Sequence, residues 1–123
     1  MHILNLTQHV ATPEQVAAGV IEPQDKEAVR KLLTFTELPS GSVIGERAVK
    51  LADIAEADTA AVAVAAAMIG GAGYLMSPLE VELRERGIKP LHSFTKRVVE
   101  EKTLPDGSVK KEAVFVHEGF VGL

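Results

Sequence analysis

The chain has 123 residues, 46% hydrophobic and 24% charged, with 13 basic against 17 acidic side chains and a net charge of −4. That length suits one domain with its own core, and the charge balance lacks the strongly basic face of a general nucleic-acid binder. The absence of cysteine excludes disulfides, thiolate metal sites and a cysteine nucleophile, and four Phe with one Tyr are too few for a base-stacking platform.

The first residues show no basic region leading into an apolar run and cleavage site, so no signal peptide is expected. The longest apolar run, AAVAVAAAMIGGAG from Ala60, is too short and alanine-rich to span a bilayer. A soluble cytoplasmic protein is expected. Ile3 to Leu6 predicts a short strand, interrupted only by Asn5. Thr12-Pro13-Glu14-Gln15 is a helix start: Thr12 caps, Pro13 suits the first position and Gln15 reaches back to the cap amide. Gly19 and Pro23 keep that helix short.

A second helix is predicted over Gln24–Leu33, with Ala28, Val29, Leu32 and Leu33 on one face. LPSGS breaks it. A third is predicted over Val43–Ala57, where Ile44, Ala48, Leu51 and Ala55 fall at helical spacing. Val62 to Ile69 is ambiguous, since alanine favours helix. Its position after a long helix and before paired glycines predicts a buried parallel strand. SPLEVELRERG predicts a helix capped at Ser77, with Pro78 first, Glu80 closing the box and Gly87 ending it. IKPLHSF predicts a third strand. Residues from about 96 to 118 then predict a β-hairpin turning at Pro105-Asp106-Gly107.

The order is strand, helices, strand, helix, strand, hairpin, with no repeat or linker. It predicts one α/β domain over residues 1–123, a small doubly wound, Rossmann-like fold. Its sheet is expected to be mainly parallel, with helices on its faces and right-handed crossovers. Such sheets hold ligands at the carboxyl ends of their strands. Three segments are expected there: Thr7-Gln8-His9, Gly70-Gly71-Ala72-Gly73-Tyr74 and Thr95-Lys96-Arg97.

Gly70, Gly71 and Gly73 expose backbone amides before a helix start that favours negative charge. They match neither the dinucleotide fingerprint nor the Walker sequence, and a tight turn explains them equally well. His9 suits proton transfer near neutrality, although a surface histidine is the plainer reading. Asn5 is placed to order the loop after the first strand. Lys96 and Arg97 could meet phosphate or simply be solvated, as Glu100 and Glu101 are expected to be. Tyr74 could stack on a base or cover the core. His2, His9, His92 and His117 show no metal-ligand spacing. No metal and no cofactor are expected.

The Thr7-Gln8-His9 turn followed by Thr12-Pro13-Glu14-Gln15 resembles the opening of small CRISPR-associated proteins of type III systems. These are the ring-nuclease and cyclic-oligoadenylate-binding group with a CARF-like core. The resemblance covers the first turn and helix only. It implies a homodimer that binds a cyclic oligoadenylate across its two-fold axis, and some relatives cut that ring without metal. A ribose 2′-hydroxyl then attacks its neighbouring phosphate, which requires alignment, charge stabilisation and one acid. Carried onto this chain, His9 protonates the leaving oxygen, while Thr7 and Gln8 fix ribose or base. Beyond the matched turn, the residues this chain itself offers are Gly70, Gly71, Gly73 and Lys96 or Arg97 for phosphate, with Tyr74 for ligand contact. Two alternatives stand beside it. One is a non-catalytic nucleotide sensor or sponge using the same pocket. The other is an interaction protein whose hairpin pairs with another chain.

Overall fold

The apolar opening run becomes the centre of the fold. The computed structural model describes residues 2–61 and 64–122. Strand β1 (His2–Leu6) buries Ile3, Leu4, Asn5 and Leu6. Thr12 caps helix α1 (Pro13–Ala17) as the sequence predicts: its hydroxyl accepts from the Gln15 amide at 3.2 Å, and Gln15 Oε1 accepts from the Thr12 amide at 3.0 Å. Gly19, at φ +106°, turns the chain into β2 (Val20–Ile21). Two residues carry no periodicity, so no sequence signal announces this strand.

Helix α2 (Lys26–Leu33) starts at Asp25, whose carboxylate accepts from the Ala28 amide at 3.0 Å. Helix α3 (Gly41–Ala61) begins inside the LPSGS segment, where Ser40 Oγ accepts from the Val43 amide at 3.2 Å. It therefore extends beyond the expected Val43–Ala57 at both ends. Strand β3 (Val64–Ile69) confirms a strand here; Val62 lies outside the described residues.

Helix α4 (Gly73–Glu85) corrects the capping prediction, because it starts at Ala72 and not at Ser77. Leu75, Met76, Leu79 and Leu83 form one buried stripe, and burying it whole requires the extra first turn. Ser77 caps nothing, and Pro78 sits inside the helix, where it cannot donate to the Tyr74 carbonyl.

Strand β4 (Lys89–Thr103) runs unbroken into the hairpin, and β5 (Val109–Gly122) returns beside it. Thr95, Lys96 and Arg97 therefore form no loop. They pair in the ladder with His117, Val116 and Phe115. No turn-forming residue lies between Phe94 and Leu104, and β5 offers a partner along the whole length. Gly107 (φ +86°) makes the turn, with Asp106 Oδ1 accepting from the Ser108 amide and hydroxyl.

The sheet order is β2-β1-β3-β4-β5. The first four strands pair in parallel. The β4–β5 pairing is antiparallel and runs from Leu91↔Gly122 to Thr103↔Val109, longer than any parallel register. The sheet is mixed, not mainly parallel as expected, because the third parallel strand and the hairpin are one continuous β4. The helices are also unevenly placed. Helices α2, α3 and α4 pack on one face, burying Val29, Leu51, Leu79 and Leu83 against Leu4, Leu6, Ala67 and Ile69. The opposite face holds a smaller cluster of Ile3, Val20, Ala66, Met68 and Leu91, touched by Ala11 and by Phe120 of β5. None of the described helices is long and apolar enough to cross a membrane.

Candidate functional site

The chain leaves β1 toward β2 on one side and later returns to place β3 on the other. That reversal creates a crevice at the carboxyl ends of β1 and β3, where open α/β sheets accept ligands. A cleft of about 500 Å³ occupies this position. Thr7, Gln8, His9 and Val10 line it from the β1 end, Gly70 and Gly71 from the β3 end, and His92, Ser93 and Thr95 from β4. Two of the three expected segments thus meet, and the third contributes Thr95. Lys96 and Arg97 are exposed on the hairpin outside the lining.

Asn5 organises the first loop, as its place at the strand end suggests. It is fully buried. Its Oδ1 accepts from the Thr7 amide at 3.0 Å and the Thr7 hydroxyl at 2.7 Å. Its Nδ2 donates to the His9 carbonyl at 2.8 Å and to the Glu22 carboxylate at 3.0 Å. Glu22 also accepts from the Ala11 amide at 2.9 Å and faces Lys26 Nζ at 3.0 Å. Burial alone would raise the Glu22 pKa, but the Ala11 amide, Asn5 and Lys26 together hold it below its ordinary value. Lys26 donates to the carbonyls of Thr7 and His9, and Arg30 Nε to that of Gln8. The loop is therefore pinned from behind by side chains of β1, α2 and the segment between β2 and α2.

This pinning uses the predicted ligand groups differently. The Thr7 hydroxyl is committed to Asn5 and to the His9 carbonyl. Gln8 Nε2 donates to Thr34 Oγ1 at 3.1 Å, at the end of α2. His9 is exposed at the cleft, and no hydrogen bond of its imidazole is found among the described residues. Tyr74 does not line the cleft. It packs edge-on against Phe35, ring centres 5.1 Å apart, while Arg47 lies over the other ring at 4.2 Å from the Phe35 centroid. Gly73 is the first residue of α4, and its neighbour Ala72 provides no side-chain cap. A Cβ added at Gly70 would make an ordinary van der Waals contact with the Thr7 methyl, at 3.5 Å.

Five side chains at or near the cleft carry chemistry that sequence spacing does not announce. His92 Nε2 lies 3.0 Å from Glu80 Oε1 of α4. Gln15 Nε2 donates to Ser93 Oγ at 3.2 Å, and Ser93 Oγ lies 2.7 Å from His117 Nδ1 on β5. These pairs join residues 12, 78 and 24 positions apart. Only the register between β4 and β5 brings Ser93 to His117, and only α1 packing brings Gln15 to Ser93. Among the described residues no three His, Asp or Glu side chains converge as a metal site.

The sequence matches the family described as "Uncharacterized protein MJ1673 family" over residues 1–121. The chain belongs to the MJ1673 family. The match covers β1 to β5, so the cleft and its pinned loop both lie within the family's extent. No curated protein and no solved structure matched the chain. Membership in the MJ1673 family assigns no chemistry, so the functional argument rests on the cleft.

Proposed function

We propose that the cleft binds a small nucleotide, and that a cyclic oligoadenylate, cleaved without a metal, is the ligand that the opening motif favours. The carrying observation is the position of the cleft at the reversal between β1 and β3. The strand order β2-β1-β3-β4 supports this reading, since doubly wound sheets that reverse in this way take nucleotides at the reversal. About 500 Å³ lies within the roughly 300–1,000 Å³ of small-molecule sites. The start of α4 adjoins the cleft with no side-chain cap, leaving its positive end for an anion.

In this reading a phosphate sits over the Gly70-Gly71 turn. The ribose 2′-hydroxyl loses its proton to solvent water as its oxygen attacks the adjacent phosphorus, the bond to the 5′-oxygen breaks, and His9 protonates the departing oxygen. Thr7 and Gln8 hold the loop that presents His9, since their own side chains are engaged. Lys96 and Arg97 have no part in one protomer's cleft. A ring of several nucleotides exceeds one cleft of this size, so the reading requires a homodimer with two clefts facing one ligand.

The test is incubation with cyclic tetra- and hexa-adenylate in EDTA, with chromatography for linear products and calorimetry for binding. Linear products support the reading. Binding without products makes the protein a sensor or sponge, and absence of binding to either ring refutes the nucleotide reading.

A further inference from the structure

Beyond that reading, we propose that Ser93 and His117 form a nucleophile–base pair, through which the cleft forms a covalent ester with a phosphoryl electrophile. Ser93 lines the cleft. Its hydroxyl has one proton and two acceptor positions. Gln15 Nε2 fills one acceptor position at 3.2 Å. His117 Nδ1, at 2.7 Å, is the partner for the proton. The other acceptor position is left for bond formation. This is the separation expected of a nucleophile and its base.

The supporting groups hold both members in place. Gln15 is buried, and its Oε1 is bonded to the Thr12 amide, so its Nε2 points in one direction. The His117 ring packs tilted against Phe120, with centroids 4.7 Å apart and planes at 57°. With Nδ1 accepting, the neutral imidazole carries its proton on Nε2. Gly70 and Gly71, which precede the start of α4, line the same cleft as Ser93.

Ser93 Oγ attacks phosphorus and its proton passes to His117 Nδ1. The bond from phosphorus to the leaving group breaks, and an alkoxide leaving group takes the proton from His117. Water then attacks the Ser93 ester with His117 again as base, which frees the serine and releases a phosphate product. With a ribose phosphodiester this route needs no 2′-hydroxyl, which distinguishes it from attack by the ligand's own ribose.

The experiment treats the full chain with a fluorophosphonate, which has no nucleotide part. Its phosphorus bonds to oxygen and fluoride leaves. Intact mass and peptide mapping are expected to show one adduct, on Ser93. His117→Ala is expected to label about 100-fold more slowly, and added imidazole is expected to restore part of the rate. Circular dichroism checks that the variant is folded, and His117→Gln serves if the alanine variant is not. No adduct on Ser93, or an unchanged rate without His117, overturns the proposal. These outcomes do not depend on nucleotide binding, so the two readings fail separately.

Discussion

Asn5→Ala tests the view that the polar residues after β1 serve the loop before they serve a ligand. Asn5 is fully buried and makes bonds in two directions. Truncation removes one bond to a carboxylate, worth about 1.5–3 kcal/mol, and bonds to neutral groups worth about 1 kcal/mol each. Some partners keep alternatives: the His9 carbonyl retains Lys26, and Glu22 retains Lys26 and the Ala11 amide. The expected loss is about 3 kcal/mol, read as a fall of about 2 M in the urea midpoint or roughly 10 °C in Tm. Asn5→Asp has the same shape, yet it puts a carboxylate oxygen where Nδ2 now lies 3.0 Å from Glu22. It should be less stable than the alanine variant at neutral pH and recover relative to it in acid, as one carboxylate takes a proton. An alanine variant within about 0.5 kcal/mol of the parent, or an aspartate variant as stable as the parent, would refute the reasoning.

Three further outcomes follow from other contacts. The depressed Glu22 pKa makes its stabilisation complete above the ordinary glutamate value of 4.5, with loss as the pH falls through and below it. Glu22→Gln should therefore flatten the fall of Tm in acid. Arg86 bridges α4 to α3 through Glu82 at 2.8 Å and Asp53 at 2.9 Å, and these bonds raise its pKa. Arg86→Ala should cost about 1 kcal/mol, less at high salt, because Asp53 is largely solvated. Gly107→Ala meets no neighbouring atom, so its cost of about 1 kcal/mol comes from φ +86° alone. Hydrogen exchange should show that loss in the hairpin amides and not in β1 or β3.

Features written in adjacent residues were legible. Thr12 and Gln15 state a reciprocal cap in four letters, and Asn5 between Leu4 and Leu6 marks a polar side chain at a strand end. Inside α4, Ser77-Pro78-Leu79-Glu80 imitates a helix start. The stripe of Leu75, Met76, Leu79 and Leu83 outweighs it, since apolar burial exceeds the value of one cap. The missing turn residues after Phe94 are the sequence signal for the hairpin's reach back to Lys89, beyond the strand predicted at Ile88–Phe94. At the cleft, local sequence located Thr7-Gln8-His9 and Gly70-Gly71. It could not locate Ser93 beside His117 or His92 beside Glu80. Those contacts exist only after strand register and helix packing are set, and no spacing rule encodes them.

The pairing of β1 with β3 joins Ile3 to Ala66 across most of the first half of the chain. During synthesis the opening strand cannot find its parallel neighbour until that neighbour has left the ribosome, and Ser93 and His117 emerge later still. The β4–β5 hairpin, by contrast, closes over a few residues and can form within microseconds. The cleft thus depends on non-local contacts, which form more slowly than a hairpin's local ones. A variant that slows β1–β3 pairing should yield chains with a formed hairpin and no cleft, separable by probes placed at the two ends of β4.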